Sequence, residues 1–344
     1  MESIARAIDG LSEEELWVCG NAAMQAQEYL RAAMCFSLLA DRAEIGPRWR
    51  EATLGAAEAW ERLGDWERAL HRYHAAYEPE GPDALELTWK LSTAYYELNR
   101  YPEALELLDP LVDREDLSLE DRLRARTWRG ICRLEMGEWD EAEMDLRRVL
   151  YIHGRNRERE RVDTYIISQA QFFIGEIYRL RFQAVRIDQT DDIPLLSETI
   201  ERKSELLLSA QGHYMRTLRI NHPHWKTAAG QRIGELYERF YDEMLEAPIP
   251  TNLTPEQAEL YRLELRRKVR ILVKKAIEAY ESTLTLAERL GLDTDFVEKT
   301  RAGLQRMEKL LLEEPEEGAD GEPGTGGERG AAAEGRTSAG GSGA

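Results

Sequence analysis

Four stretches of this chain carry one pattern: AQEYLRAAMCFSLLA (26–40), LGDWERALHRYHAAY (63–77), LNRYPEALELLDPLV (98–112) and MGEWDEAEMDLRRVL (136–150). In each, an aromatic residue is followed three positions later by alanine, and four positions after that by a large residue. The aromatics are Tyr29, Trp66, Tyr101 and Trp139, the alanines Ala32, Ala69, Ala104 and Ala142, and the large residues Phe36, Tyr73, Leu108 and Leu146. The aromatics recur 37, 35 and 38 residues apart. A pattern at this interval means stacked supersecondary units, because one such unit cannot bury its apolar face alone and its neighbours must do it. Alternating Val, Ile and Thr are nearly absent, and Gly and Pro cluster in the last thirty residues, so the units are helical.

A small residue precedes each stretch: Gly20, Ala57, Ser92 and Gly130. The turns read Gly64-Asp65-Trp66, Asn99-Arg100-Tyr101 and Gly137-Glu138-Trp139. This arrangement resembles the tetratricopeptide repeat, in which helix A carries a small residue, a Gly-Asp-Tyr-like turn follows, and helix B carries Ala and an aromatic. Small residues let the two helices approach, and the aromatic after the turn is expected to plug the gap between them. On that expectation Trp66→Ala or Trp139→Ala costs roughly 3–5 kcal/mol.

The resemblance continues in altered form. FFIGEIYRL (172–180) and QRIGELYERF (231–240) both give Ile-Gly-Glu-(Ile/Leu)-Tyr, with Gly175, Tyr178, Gly234 and Tyr237. Each is followed by an insertion, IDQTDDIPLLSE (187–198) and EAPIPTNLTPEQAE (246–259), and then by a helix B carrying Ala210 with Tyr214, or Ala276 with Tyr280. Thr254-Pro255-Glu256-Gln257 has the form of a capping box with Pro at the first helical position. The expected architecture is an all-α, right-handed superhelical solenoid of about six hairpins. Residues 1–154 form four near-standard hairpins. Residues 155–314 form two enlarged ones with a capping helix at 294–314, and 315–344 form a disordered acidic, Gly/Ala-rich tail. The enlarged pair is also similar to the C-terminal part of certain myxobacterial and deltaproteobacterial repeat proteins, some linked to gliding motility and the cell envelope.

The chain carries a net charge of −19 with a pI near 4.9, which repels nucleic acid and anionic lipid and suits a basic partner. No stretch approaches the ~20 apolar residues of a membrane helix. The N-terminus lacks a basic start followed by an apolar run, so the chain as given reads as cytoplasmic, or as periplasmic or envelope-bound if a leader has been removed. Cys19, Cys35 and Cys132, odd in number and without CxxC spacing, read as buried thiols rather than a disulfide or a zinc site.

Phosphate-loop, GxSxG and HExxH motifs are missing, so no catalytic residue, cofactor or metal is expected. His222-Pro223-His224-Trp225 reads as a helix start with Trp225 as packing. What remains is a surface for protein partners. The resemblance implies a concave face lined by helix A, where the repeat alignment places Trp17, Asn21 and Met24, then Glu58 and Glu61, then Trp89, Thr93 and Tyr96, then Thr127, Ile131 and Leu134. A peptide or helix of a partner would dock there, anchored on the aromatics. Only Asn21 matches the family subtype that grips a C-terminal carboxylate with Lys and Asn, which argues against that mode. A second candidate is RLELRRKVRILVKK (262–275), with seven basic residues and one acid. Its Arg266, Arg267, Arg270 and Lys274 suit an acidic partner or the protein's own acidic tail, or form a solvated face paired with nearby glutamates. The leading expectation is a non-catalytic interaction scaffold; the alternative is a structural accessory of a bacterial envelope or motility complex.

Overall fold

In the computed structural model, residues 2–156, 160–188, 192–249, 251 and 253–313 are described, and among them there are fourteen α-helices and no strand. The expected tail therefore lies outside the described residues, as do parts of the 187–198 and 246–259 insertions. A short helix, α1 (Glu2–Ile8), precedes six hairpins. These are α2 (Glu13–Gln25) with α3 (Tyr29–Arg42), α4 (Pro47–Arg62) with α5 (Trp66–Ala76), α6 (Ala84–Glu97) with α7 (Tyr101–Val112), and α8 (Leu119–Glu135) with α9 (Trp139–Asn156). Then come α10 (Thr164–Ala184) with α11 (Ile193–Arg219) and α12 (Pro223–Glu246) with α13 (Pro255–Leu290). A capping helix, α14 (Asp295–Glu313), packs on α12 and α13. The fold is an all-α superhelical stack of six tetratricopeptide-type hairpins.

The helix ends follow from local chemistry. Ser12 and Glu15 form a reciprocal capping box on α2, and Thr254 and Gln257 another on α13. In each of the first four hairpins the chain reverses at one left-handed residue two positions before the aromatic: Gln27 (φ 59°), Gly64 (φ 72°), Asn99 (φ 57°) and Gly137 (φ 81°). The next amide then reaches back to helix A, as Asp65 N does to Trp60 O at 3.0 Å, satisfying carbonyls that the helix end leaves open.

Packing corrects one expectation. Tyr29, Trp66, Tyr101 and Trp139 are only half-buried. The gap is filled seven residues further on, by Phe36, Tyr73, Leu108 and Leu146, all buried. Each stands sixteen positions after the small residue of helix A, and where that residue is glycine the two are in close contact. A Cβ on Gly20 would lie 2.6 Å from Phe36 Cε1, and one on Gly130 would lie 3.0 Å from Leu146 Cγ. The turn aromatic sits where the hairpin opens to solvent, so it covers the junction rather than filling it. Tyr214 and Tyr280 play the filling role against Gly175 and Gly234 in the last two hairpins.

The cysteine expectation is also corrected. Cys19 on α2 and Cys35 on α3 form a disulfide with Cα atoms 6.3 Å apart, while Cys132 is a buried thiol. Sixteen residues separate Cys19 from Cys35 in sequence. The close helix crossing at Gly20 and Phe36 brings them together, which Cys spacing alone does not reveal.

Candidate binding surface

The exposed face of the A helices can be followed through positions one and four residues after each small residue, and three before it. In the first hairpin these are Asn21, Met24 and Trp17, all half-buried. Trp17 lies edge-on to Phe36, ring centroids 5.7 Å apart, with the Arg48 guanidinium 4.6 Å above its face. Asn21 spends its amide on Trp17 O at 2.9 Å. In the second, Glu58 is exposed and paired with Arg62, and Glu61 accepts from the Tyr73 hydroxyl and from Lys90 at 3.0 Å. In the third, Thr93 is half-buried and donates to Trp89 O. Tyr96 meets Trp128 edge-on at 5.4 Å and Tyr101 at 5.6 Å, and its hydroxyl reaches Glu135 at 3.3 Å.

Four expected groove residues do not reach the surface: Trp89, Thr127, Ile131 and Leu134. Trp89 is 8% exposed, with the Arg124 guanidinium 4.5 Å over its ring. Ile131 is 1% exposed, and Thr127 and Leu134 are buried beside it. The reason is tertiary: α10 packs against α8, and Leu134 joins an apolar cluster with Ile166, Ile167 and Ile174 of α10. Sequence reasoning missed Trp128, Tyr101 and Glu135, which complete the cluster around Tyr96. The aromatic character of Trp128 and Tyr101 was the available signal, but all three residues stand off the alignment positions.

The same register in the last two hairpins carries a different chemistry. The two Gly-Glu steps place Glu176 and Glu235 one residue after the small residue. Glu176, buried, accepts from the Tyr214 hydroxyl and pairs with Arg179 at 2.8 Å and with Arg232 at 3.0 Å. Glu235 pairs with Arg232 at 2.5 Å. Although burial works against it, Arg232 beside Glu235 holds this carboxyl below the usual range. Burial pushes Glu238 up, with Asp242 and Glu235 nearby, despite Arg306 of the capping helix bridging Glu238 and Asp242. This network lines a cleft of about 490 Å³ between α12 and α14, lined by Gln231, Glu235, Tyr280, Lys299 and Arg306 among others.

The basic stretch lies elsewhere, on α13, a B helix. Arg266, Arg267 and Lys274 are exposed and Arg270 is half-buried; Arg267 lies 3.9 Å from Glu264. The two candidate surfaces thus sit on different helices and are not brought together. His222 and Pro223 begin α12 and Trp225 is buried against Phe172, as expected. Among the described residues no group of three His, Cys, Asp or Glu side chains is placed to hold a metal, and no helix is long and apolar enough to cross a membrane.

No protein-family model matches the chain. It is 28% identical over 136 residues to DnaJ homolog subfamily C member 3 of Gallus gallus, covering 38% of this chain and only a quarter of that protein. Among solved structures, apo RapI aligns with 88% of this chain and 100% of its own at 12% identity and a TM-score of 0.45. A TPR repeats protein from Bacteroides fragilis aligns with 87% of this chain and 99% of its own at 11% identity and a TM-score of 0.32.

Proposed function

We propose that the protein is a non-catalytic scaffold that holds a peptide or helix of a protein partner on the A-helix face of its first three hairpins. The observation that carries this reading is the half-buried set Trp17, Met24 and Tyr96 on that face, with Trp128 of the fourth hairpin packed edge-on against Tyr96. Aromatic rings left half-open on a rigid helical frame supply large contact area with little conformational entropy to lose, the property of interface anchors. Glu58 and Glu61 beside them, and the net charge of −19, favour a partner segment with basic residues. Tyr96→Ala and Trp17→Ala are the test, because both rings are half-exposed and the packed small–large pairs stay intact. Affinity capture from the native cell extract should lose partners with either variant while thermal melts stay within a few degrees. Unchanged capture with both variants would falsify the groove assignment.

One observation favours the second reading, an accessory of an envelope or motility complex. A Cys19–Cys35 disulfide persists in oxidising compartments and is rare in reducing ones. Mass analysis of the native protein, alkylated at the moment of lysis, separates the two. A bridged pair supports the envelope reading, and three alkylated thiols remove it.

A further inference from the structure

Helix α13 outruns its neighbours. It spans thirty-six residues, yet its first buried side chain is Val269. The register explains why. A Cβ on Gly303 would lie 2.6 Å from the Tyr280 ring, so these two residues are level. Gly291 (φ 63°) starts the short turn that returns the chain antiparallel along α13. Ten residues on from Gly303, Glu313 is therefore level with Arg270, ten residues back from Tyr280. The described part of α14 reaches this level, and α13 runs on toward Pro255.

Beyond this level the same flank of α13 is basic. Steps of three and four residues carry a helix face from Tyr280 through Ile277, Val273, Arg270 and Arg266 to Arg262. Tyr280 and Val273 are each 1% exposed, whereas Arg266 and Arg262 are exposed. The chain that leaves Glu313 beside this flank reads EPEEGADGE (314–322), with five acids and no base. Nine residues reach at most about 30 Å, and α13 from Arg270 back to Pro255 measures about 22 Å.

We propose that the acidic segment 314–322 docks in cis on the Arg262–Arg266–Arg270 flank of α13. Exposed ion pairs are individually weak. A short tether, however, holds the segment at an effective concentration on the order of millimolar, enough to populate a weak contact. The segment has no large apolar residue, so it pairs charge and leaves Leu260, Leu263 and Ile271 exposed on the outer face, at 59%, 55% and 53%. An acidic partner must displace it to reach the arginines. This inference is independent of the aromatic groove.

The test uses the full chain and a variant with Glu314→Gln, Glu316→Gln, Glu317→Gln, Asp320→Asn and Glu322→Gln. Polyglutamate is the probe, at low salt. The neutralised variant should bind it at least tenfold more tightly than the unmodified chain, and Arg262→Glu with Arg266→Glu in that variant should abolish the gain. Equal affinity of the two full chains overturns the proposal, as does a gain that survives the arginine reversals. Zero-length carbodiimide coupling gives an independent readout. It should join residues 314–322 to Lys274 within one molecule, and coupling only between molecules would point to a second copy as the occupant and overturn docking in cis.

Discussion

In the second hairpin Tyr73, buried and sixteen residues after Ala57, gives its hydroxyl to Glu61; in the sixth Tyr280 fills the space beside Gly234 and gives its hydroxyl to Glu238 at 2.5 Å. The local device is shared, but its surroundings are not. In the second hairpin the two residues of the pair stand sixteen apart, and Glu61 faces a half-open surface with Lys90. In the sixth they stand forty-six apart, helix B has grown from eleven to thirty-six residues, and Arg306 of the capping helix closes over Glu238. The fifth hairpin goes further, with Glu176 and Tyr214 both buried. The same face therefore does two jobs. Early in the chain it is left open and aromatic; late in the chain it is consumed by ion pairs that hold A helices to one another. An open face is available to a partner, whereas a closed one has become part of the frame.

The sharpest way to break this comparison is Glu176→Gln. It strips the counter-charge from Arg179 and Arg232 in a buried setting, where losing one partner costs about 3–5 kcal/mol. Glu61→Gln, on the open face, should cost under about 1 kcal/mol. Equilibrium urea unfolding reads both, and equal losses would erase the distinction. Next, Tyr73→Ala should cost about 3–5 kcal/mol because it empties a packed site, while the half-buried Trp66 should cost about 1–2 kcal/mol on truncation to Ala. A larger loss at Trp66 would return the plugging role to the turn aromatic.

The third effect is smaller and concerns pH. His213 of α11 is buried against Tyr178, stacked at 5.3 Å, and its Nδ1 lies 2.7 Å from Gln171 Nε2. Burial, with Arg216 and Arg147 nearby and Glu143 opposing, lowers its pKa to about 4. The unfolded chain then takes up this proton first. Stability is fully present above about pH 6.5, falls as pH drops toward about 4, and loses about 2–3 kcal/mol over that window. His213→Gln should flatten the slope of melting temperature against pH between 6.5 and 4.5; an unchanged slope would mean that the imidazole stays accessible.

Much of the fold was legible because it rests on nearest-neighbour rules. The small residue of helix A, the turn and the large residue of helix B recur within one hairpin, so six hairpins and the capping helix could be placed from spacing, and Thr254 and Pro255 announced the start of α13. The candidate surface was less legible. Trp89 and Tyr96 occupy equivalent-looking positions on α6, and only the neighbouring elements separate them: Arg124 of α8 lies over Trp89, whereas Tyr96 opens beside Trp128.

By itself the amino-acid sequence determined the unit, its copy number, its helix ends and the net charge, because each is written in residues close along the chain. Tertiary structure decided the rest. It determined that α10 packs against α8, that Cys19 reaches Cys35, that Glu176 meets Arg232, and that α14 reaches the level of Arg270. Those outcomes depend on how far each helix runs past its neighbour, and periodicity reports which residues share a face without saying what covers it.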